Sequence, residues 1–274
     1  MVYNRKEVPM RVLAVSSGKG GVGKTNFVAN LALALEKKGQ HTLIFDADLG
    51  LANVDVLLGL APKRDIRHVL SGECTLKDIV IRTKYGFEVI PASSGVLELT
   101  RLAPSEKLSL KEQFEEVSQG VDFFIFDLGA GISDNVLFFN LVAQERIVIT
   151  TPEPTAMADA YALIKLLFVR HQVKRIYLLV NLIRDEQEGK TVYRQIAQVA
   201  ERFLGPVGLT YLGAIRNDPS VPRAVRQQEP FLHLFPDSPA SRDLLQICEK
   251  LLRLKPKIEG GLEALWSQRS QALS

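Results

Sequence analysis

Residues 18–25 read Gly-Lys-Gly-Gly-Val-Gly-Lys-Thr, and this octet decides the fold. It fits the pattern G-x-x-x-x-G-K-[ST], a glycine-rich turn whose backbone N–H groups surround phosphate. The β-branched, apolar run RVLAVSS at residues 11–17 precedes the turn and predicts a strand. Residues 25–38 follow with apolar side chains at helical spacing. The sequence therefore predicts strand, loop and helix in the order that this motif requires.

The residues of the loop suit a nucleotide with its magnesium ion. Glycines lack a Cβ, so the backbone can curl and point its N–H groups, with the positive end of the next helix, at phosphate. Lys24 adds a full charge near the β- and γ-phosphates, and the Thr25 hydroxyl is placed to ligate Mg²⁺. The alternative is a glycine turn that only joins strand to helix, but motif and context agree against it. The predicted binding set is Gly18, Lys19, Gly20, Gly21, Val22, Gly23, Lys24, Thr25 and Asn26.

Further strand-like runs alternate with helical ones along the chain. The strand-like runs are continuously apolar, as expected for a parallel sheet covered on both faces, and they span residues 41–46, 87–92, 123–127, 146–151, 175–182 and 209–215. The predicted helices between them include residues 105–118, 156–170, 191–203 and 241–254. The alternation predicts a doubly wound, mostly parallel α/β sheet that binds its ligand at the carboxyl ends of the strands.

Polar residues close several of these strands. Asp127 ends the run FFIFD, the arrangement in which an aspartate holds Mg²⁺ through water, although it could instead cap the next helix. Asp46 and Asp48 follow the second strand in the same way. Asn181 ends another strand, and its amide offers both a donor and an acceptor, which suits the edge of a base.

The loop also carries an extra lysine, Lys19, and the string KGGVGKT resembles the deviant Walker A motif of the family of MinD, ParA and the nitrogenase iron protein. The resemblance implies an ATP-dependent sandwich dimer in which Lys19 reaches the ATP of the other subunit. It implies that Asp48 orients the attacking water and that Asp46 lies near the metal, with the alternative that Asp46 only caps the following turn. The implied catalytic residues are Asp48, Lys19 and Lys24, and the implied metal-site residues are Thr25, Asp46, Asp48 and Asp127.

The same resemblance implies the base pocket. The family has an asparagine at the position of Asn181. Its second base-contacting loop usually reads I-P-x-D, whereas this chain reads Ile215-Arg216-Asn217-Asp218 and lacks the proline. Arg216 could stack on the base instead, so the predicted pocket consists of Asn181, Arg216, Asn217 and Asp218.

Two longer strings resemble the flagellar-number regulators called FleN or FlhG, relatives of MinD. They are DADLGLANVDVLLGL at residues 46–60 and PTAMADAYALIKLL at residues 154–167, although the second could be an ordinary apolar helix face. The resemblance spans roughly residues 10–250.

This resemblance implies an ATP-gated switch with slow turnover that controls flagellar number and placement. Implied partners are a second copy, flagellar switch proteins, the GTPase FlhF and a FleQ-type activator. The first ten residues lack the D-Q-A-x-x-L-R segment that stimulates FlhF, so that stimulation is not implied here.

Composition and cysteine spacing argue against some of the alternative functions. The chain has 274 residues, 46% of them apolar, and a formal charge of +3, which gives little support to ParA-like DNA partitioning. Cys74 and Cys248 lack C-x-x-C spacing, which argues against iron–sulfur carriage. Only the two long strings distinguish the predicted flagellar function from MinD-like placement of the division site. The N-terminus carries no long apolar segment, so a cytoplasmic protein is expected.

The sequence predicts an N-terminal extension at residues 1–10, the ATPase domain at residues 11–255 and a tail at residues 256–274. In the tail, Leu262, Leu265, Trp266 and Leu273 share one side of a helical projection. Such a helix could lie on the inner face of the cell membrane, including at a cell pole, with dimerisation supplying avidity. The alternative is that it docks back on its own domain.

Overall fold

A computed structural model describes residues 9–48, 54–91, 104–255 and 262 of the chain. Within them, an eight-stranded sheet runs in the order β3-β4-β2-β5-β1-β6-β7-β8. Neighbouring strands are parallel except the short pair β3–β4. The strands are β1 (Arg11–Ser17), β2 (Thr42–Ala47), β3 (Ile81–Arg82), β4 (Glu88–Ile90), β5 (Phe123–Ala130), β6 (Glu145–Thr150), β7 (Arg175–Ile183) and β8 (Gly208–Arg216).

Helices cover both faces of the sheet. They are α1 (Lys24–Lys37), α2 (Val54–Leu57), α3 (Ile66–Leu70), α4 (Leu76–Ile79), α5 (Pro104–Val117), α6 (Asp134–Val142), α7 (Pro154–His171), α8 (Glu186–Leu204), α9 (Ser220–Arg226), α10 (Phe231–Leu234) and α11 (Pro239–Arg253). Helices α3, α4 and α6–α8 pack on one face with α5, and α1, α2 and α9–α11 pack on the other.

The central strands are buried on both sides. Val12 and Ala14 of β1 face one helical layer, whereas Leu13 and Val15 face the other, because successive side chains of a strand alternate. Each of the four is at most 1% exposed. This confirms the predicted doubly wound, mostly parallel sheet and explains why its strands read as continuous apolar runs.

The predicted elements are found, with shifts at their ends and with additions. The largest shift is in α8, which begins at Glu186 rather than at residue 191 because the Asp185 side chain accepts a hydrogen bond from Glu188 N and caps it. Helix α6, the short strand β3 and the short helices α2–α4, α9 and α10 are additions to the predicted elements. Helices this short are marginal alone and depend on the surface beneath them.

Of the tail, Leu262 is described, and it is 9% exposed in the buried cluster on the face of α6–α8. This position agrees with the docking alternative at that one residue. Leu265, Trp266 and Leu273 lie outside the described residues. In the described part of the chain, no helix has the length and apolar character needed to cross a membrane.

A buried ion pair ties the sheet to α11. Arg11 Nε and Nη2 each donate to a carboxylate oxygen of Glu145 at 2.7 Å, and Nη1 donates to Leu251 O at 2.9 Å. The guanidinium also lies 4.9 Å from the centre of the Phe123 ring. The two charged residues are only 5% and 4% exposed, so each depends on the other for compensation of its charge.

We expect Glu145→Gln to lower the free energy of unfolding by about 3–5 kcal/mol, because it leaves the Arg11 charge buried without its counter-ion. Glu249→Gln, which removes an exposed pair with Lys38, is the control and should cost less than about 1 kcal/mol. Urea denaturation of both variants checks this. Equal losses of unfolding free energy in the two variants would show that burial does not make the Arg11–Glu145 pair more stabilising than an exposed pair.

Candidate active site

The glycine loop is pressed against two neighbouring elements. A Cβ added at Gly18 would collide with the backbone of Asp159 in α7, and one at Gly23 would collide with the Asn181 side chain. Gly23 also has φ 89°, a left-handed conformation that side chains other than glycine adopt rarely. Packing therefore requires glycine at position 18, and packing and backbone conformation together require it at position 23.

The N-terminus of α1 is open to an anion. Gly23 is its N-cap and supplies no side-chain hydrogen bond, and the first turn contains no acidic residue. The first amides of a helix have no partner within the helix, and they sit at the positive end of its dipole. Lys24, 8% exposed, adds its charge at the same place. The loop thus gathers backbone donors and a lysine where phosphates can be held.

Asp127 is the least compensated polar group near the loop. It is 1% exposed, and neither carboxylate oxygen accepts a hydrogen bond of normal geometry from the described residues. Burial raises its pKa to about 6, against the lowering effects of nearby Lys24 and Thr25, and Asp48 raises it further. A desolvated carboxylate beside a threonine hydroxyl fits Mg²⁺, which takes oxygen ligands.

The predicted metal-site residues do not converge as one carboxylate cluster. Among the described residues, no group of three or more His, Cys, Asp or Glu side chains is placed to hold a metal. At phosphate sites Mg²⁺ usually takes one or two protein ligands and fills its other positions with phosphate and water oxygens. Thr25 and Asp127 are the residues that would hold the ion.

Asp46 and Asp48 adopt different roles. Asp46 is 1% exposed, and its carboxylate accepts from Asp48 N at 3.2 Å and from Val54 N at 3.1 Å. These contacts match the alternative in which Asp46 holds the turn. Asp48 Oδ1 lies 3.3 Å from where a Cβ of Gly129 would be, so the segment after β2 touches the glycine turn that ends β5. Asp46 pairs in register with Asp127 across β2 and β5.

Lys19 is bound within its own chain. Its Nζ lies 2.5 Å from Glu153 Oε1 and 2.9 Å from Thr155 Oγ1, both at the start of α7. The Lys19 ammonium lowers the pKa of Glu153. Both side chains of the ion pair are substantially exposed, at 36% and 56%, so water screens the attraction. Before Lys19 could reach a second subunit, these contacts would have to break.

Sequence reasoning missed Glu153 and Thr155 as partners of Lys19. A signal was present, because Glu153 follows β6, and the carboxyl ends of parallel strands share one edge. That pattern places Glu153 near the loop. It does not specify that Lys19 turns toward it.

The predicted base-pocket residues are engaged elsewhere. Asn181 Nδ2 donates to Val22 O at 2.8 Å and so supports the loop. Arg216 forms an ion pair with Asp243 in α11, with Nη2–Oδ1 at 2.6 Å and Nε–Oδ2 at 2.8 Å.

Asp218 accepts hydrogen bonds from Ser220 N and Ala240 N, which lie in the first turns of α9 and α11. Asn217 is exposed. Stacking of Arg216 on a base stays a prediction.

The glycine loop, the open helix end and the desolvated aspartate define a P-loop nucleotide-binding protein. The family model ParA, described as NUBPL iron-transfer P-loop NTPase, matches residues 9–252. The chain belongs to this ParA/MinD family of P-loop ATPases.

Individual relatives agree with this assignment. The antiactivator FleN of Pseudomonas aeruginosa is 43% identical over 89% of this chain and 86% of its own length. The flagellum site-determining protein YlxH of Helicobacter pylori is 36% identical over 92% of this chain and 84% of its own. Among solved structures, the MinC:MinD cell division protein complex of Aquifex aeolicus matches with a TM-score of 0.69 and 26% identity, covering 91% of this chain and 98% of that one.

We expect Asp127→Asn to have opposite effects on stability and on ligand binding. At pH 8 it should raise the free energy of unfolding of the nucleotide-free protein by about 1–3 kcal/mol, because a shift of about two pKa units disappears with the charge. The gain should shrink as the pH falls through 6, where Asp127 itself becomes protonated and neutral. Mg²⁺-dependent binding of ATP should be lost.

Urea denaturation at pH 8 and pH 5, with calorimetric titration of Mg·ATP, measures both effects. Asp237→Asn, which neutralises an exposed carboxylate, is the matched control and should change neither. Destabilisation at pH 8 together with normal Mg·ATP affinity would contradict the assignment of Asp127 to the metal site.

Proposed function

We propose that this chain is an ATP-dependent dimerising switch that regulates flagellar number and placement, with hydrolysis returning the dimer to monomers. The observation that carries the proposal is the similarity to FleN and YlxH along almost the whole chain. The loop and Asp127 supply the chemistry that such a switch needs.

The chain's residues divide the work of hydrolysis. The loop amides and Lys24 hold the phosphates, while Thr25 and Asp127 hold the metal. A metal ion bound there would supply positive charge to offset that of the phosphates. Asp48 orients the attacking water from its place beside Gly129. Water attack on a phosphoryl group depends mainly on positioning and charge stabilisation, so one well-placed carboxylate suffices.

Dimerisation completes this site. Lys19 of one protomer would exchange Glu153 for the triphosphate of the other and add charge where the transition state needs it. In the single chain that charge is held away, at Glu153 and Thr155. Intrinsic turnover should therefore be slow until the dimer forms.

The proposed partners are flagellar switch proteins, the GTPase FlhF and a FleQ-type activator. The proposed location is the cytoplasm, with reversible attachment to the inner face of the membrane through the tail that follows the 11–255 domain. Because Leu262 is buried on the domain, Leu265, Trp266 and Leu273 are the tail residues proposed to meet lipid.

A second candidate is placement of the division site, favoured by the likeness to the MinC:MinD complex. The two functions use the same ATP-dependent dimer and differ in the partner that it meets. Biochemistry of the isolated chain therefore cannot separate them, and a cellular measurement is needed.

We expect Asp48→Ala to bind Mg·ATP and to remain dimeric, because it loses the water-orienting carboxylate and keeps the phosphate site. Adding Lys19→Ala should return that variant to a monomer with ATP still bound. Light scattering, with nucleotide occupancy measured on the same samples, checks both outcomes, and Lys24→Ala is the control that should bind no nucleotide. A nucleotide-loaded Asp48→Ala protein that stays monomeric at high concentration would refute the switch.

We expect deletion of the gene to change the number or position of flagella and to leave cell division normal. Electron microscopy of flagella and counts of minicells measure the two outcomes. The wild-type gene should restore the normal number and position of flagella, and a gene with Lys24→Ala should not. That difference would show that the effect depends on nucleotide binding. Minicells with normal flagella would instead support the division-site function.

A further inference from the structure

Gln228 holds a left-handed backbone conformation, with φ 54°, just beyond the end of α9. Residues with a Cβ adopt this conformation rarely, because the Cβ crowds the following carbonyl oxygen. Here the conformation ends the helix, because Gln228 N donates to Val225 O and Glu229 N donates to Ala224 O, as in a Schellman motif. Gln228 is exposed, so its side chain is available for a contact outside the helix.

The contact that Gln228 makes is with α2. Its Nε2 donates to Val56 O at 2.8 Å, across 172 positions of sequence. A Cβ added at Gly59, two residues beyond α2, would meet the Gln228 side chain at ordinary van der Waals distance. Helix α2 is a single turn of four residues, too short to be stable alone. Gln228 therefore supplies a partner for a carbonyl at the end of a helix that depends on outside contacts.

The other end of α2 meets the aspartates. Val54 N, the first amide of α2, donates to Asp46 Oδ2, and Asp48 N donates to Asp46 Oδ1. The Asp46 carboxylate is thus shared between the start of α2 and the backbone of Asp48. A displacement of α2 would move the carboxylate that orients the Asp48 backbone.

We propose that Gln228 is a positioning residue for ATP hydrolysis, which fixes Asp48 by anchoring α2. The inference rests on the proposed function, since it deepens the role given there to Asp48. Small displacements of a positioning group can slow a reaction strongly even when the displaced residue lies away from the bound substrate. Gln228 has no contact with the glycine loop in the described structure, so it should govern the rate of hydrolysis and leave the affinity for nucleotide unchanged.

The neighbouring residue provides a matched control. Glu229 accepts from Tyr85 Oη at 2.8 Å and from Lys84 Nζ at 2.7 Å, which ties the same segment to the turn between β3 and β4. Glu229→Gln weakens that attachment and leaves the contact with Val56 in place. It should therefore keep the wild-type turnover.

The test compares wild type, Gln228→Met, Gln228→Gly and Glu229→Gln as full-length proteins. Methionine keeps the length of the side chain without a donor, whereas glycine removes both the side chain and the backbone strain. We expect kcat to fall about 3- to 10-fold in both Gln228 variants, with KM for ATP within about twofold of wild type. Hydrogen exchange of the amides of residues 58–60, which bond back to α2, should become faster in Gln228→Met and stay unchanged in Glu229→Gln.

Unchanged kcat and unchanged exchange at residues 58–60 in Gln228→Met would overturn the inference. Equal losses of kcat in Gln228→Met and Glu229→Gln would also overturn it, since they would reveal a general structural effect. A wild-type protein without ATPase activity would count against the proposed function. In that case the exchange measurement still decides whether Gln228 anchors α2.

Discussion

The close approach of the glycine loop to α7 and to Asn181 constrains the whole site. Gly18 lies against the backbone of Asp159, and Gly23 lies against the Asn181 amide, so the loop is held between β1, α7 and β7. Asn181 Nδ2 reinforces this arrangement through Val22 O. Because the loop is fixed on both sides, the open end of α1 and the Lys24 ammonium are oriented before any ligand arrives. Preorganised donors of this kind need no rearrangement when the phosphate binds.

The same rigid setting carries an energetic cost at Asp127. Its carboxylate is buried beside Lys24 and Thr25, where no described donor makes a hydrogen bond of normal geometry to it, and desolvation raises its pKa to about 6. A hydrophobic residue at this point of β5 would be more stable, since the rest of the run FFIFD is apolar and buried. The protein retains the charge where a metal ion would compensate it. The buried charge therefore lowers the free energy of unfolding of the ligand-free protein, and a bound metal ion would offset that loss. Functional sites often trade stability for function in this way.

The order of strand, glycine loop and helix could be predicted from the sequence, whereas the partners of the base-pocket candidates could not. The glycine loop, Lys24, Thr25 and Asp127 follow from local patterns, because each depends on the residues beside it in the chain and on strand ends that share one edge. Arg216 and Asp218 were predicted to contact the base, yet Arg216 pairs with Asp243, and Asp218 caps two helices. Those contacts join segments that sequence spacing does not relate. The same reason explains the missed helix α2, which depends on Asp46 and Gln228 at its two ends.

The contrast between two ion pairs explains how a rigid fold can still act as a switch. Arg11 and Glu145 are almost completely buried and would leave an uncompensated charge if separated, so they belong to the permanent framework. Lys19 and Glu153 also form a close contact, but both side chains reach solvent, at 36% and 56% exposure, so separation leaves neither charge buried. In the proposed dimer, Lys19 would therefore leave Glu153 for a triphosphate with more negative charge, in a site that the second subunit would shield from solvent. Burial, rather than distance, decides which of the two contacts can be exchanged when the dimer forms.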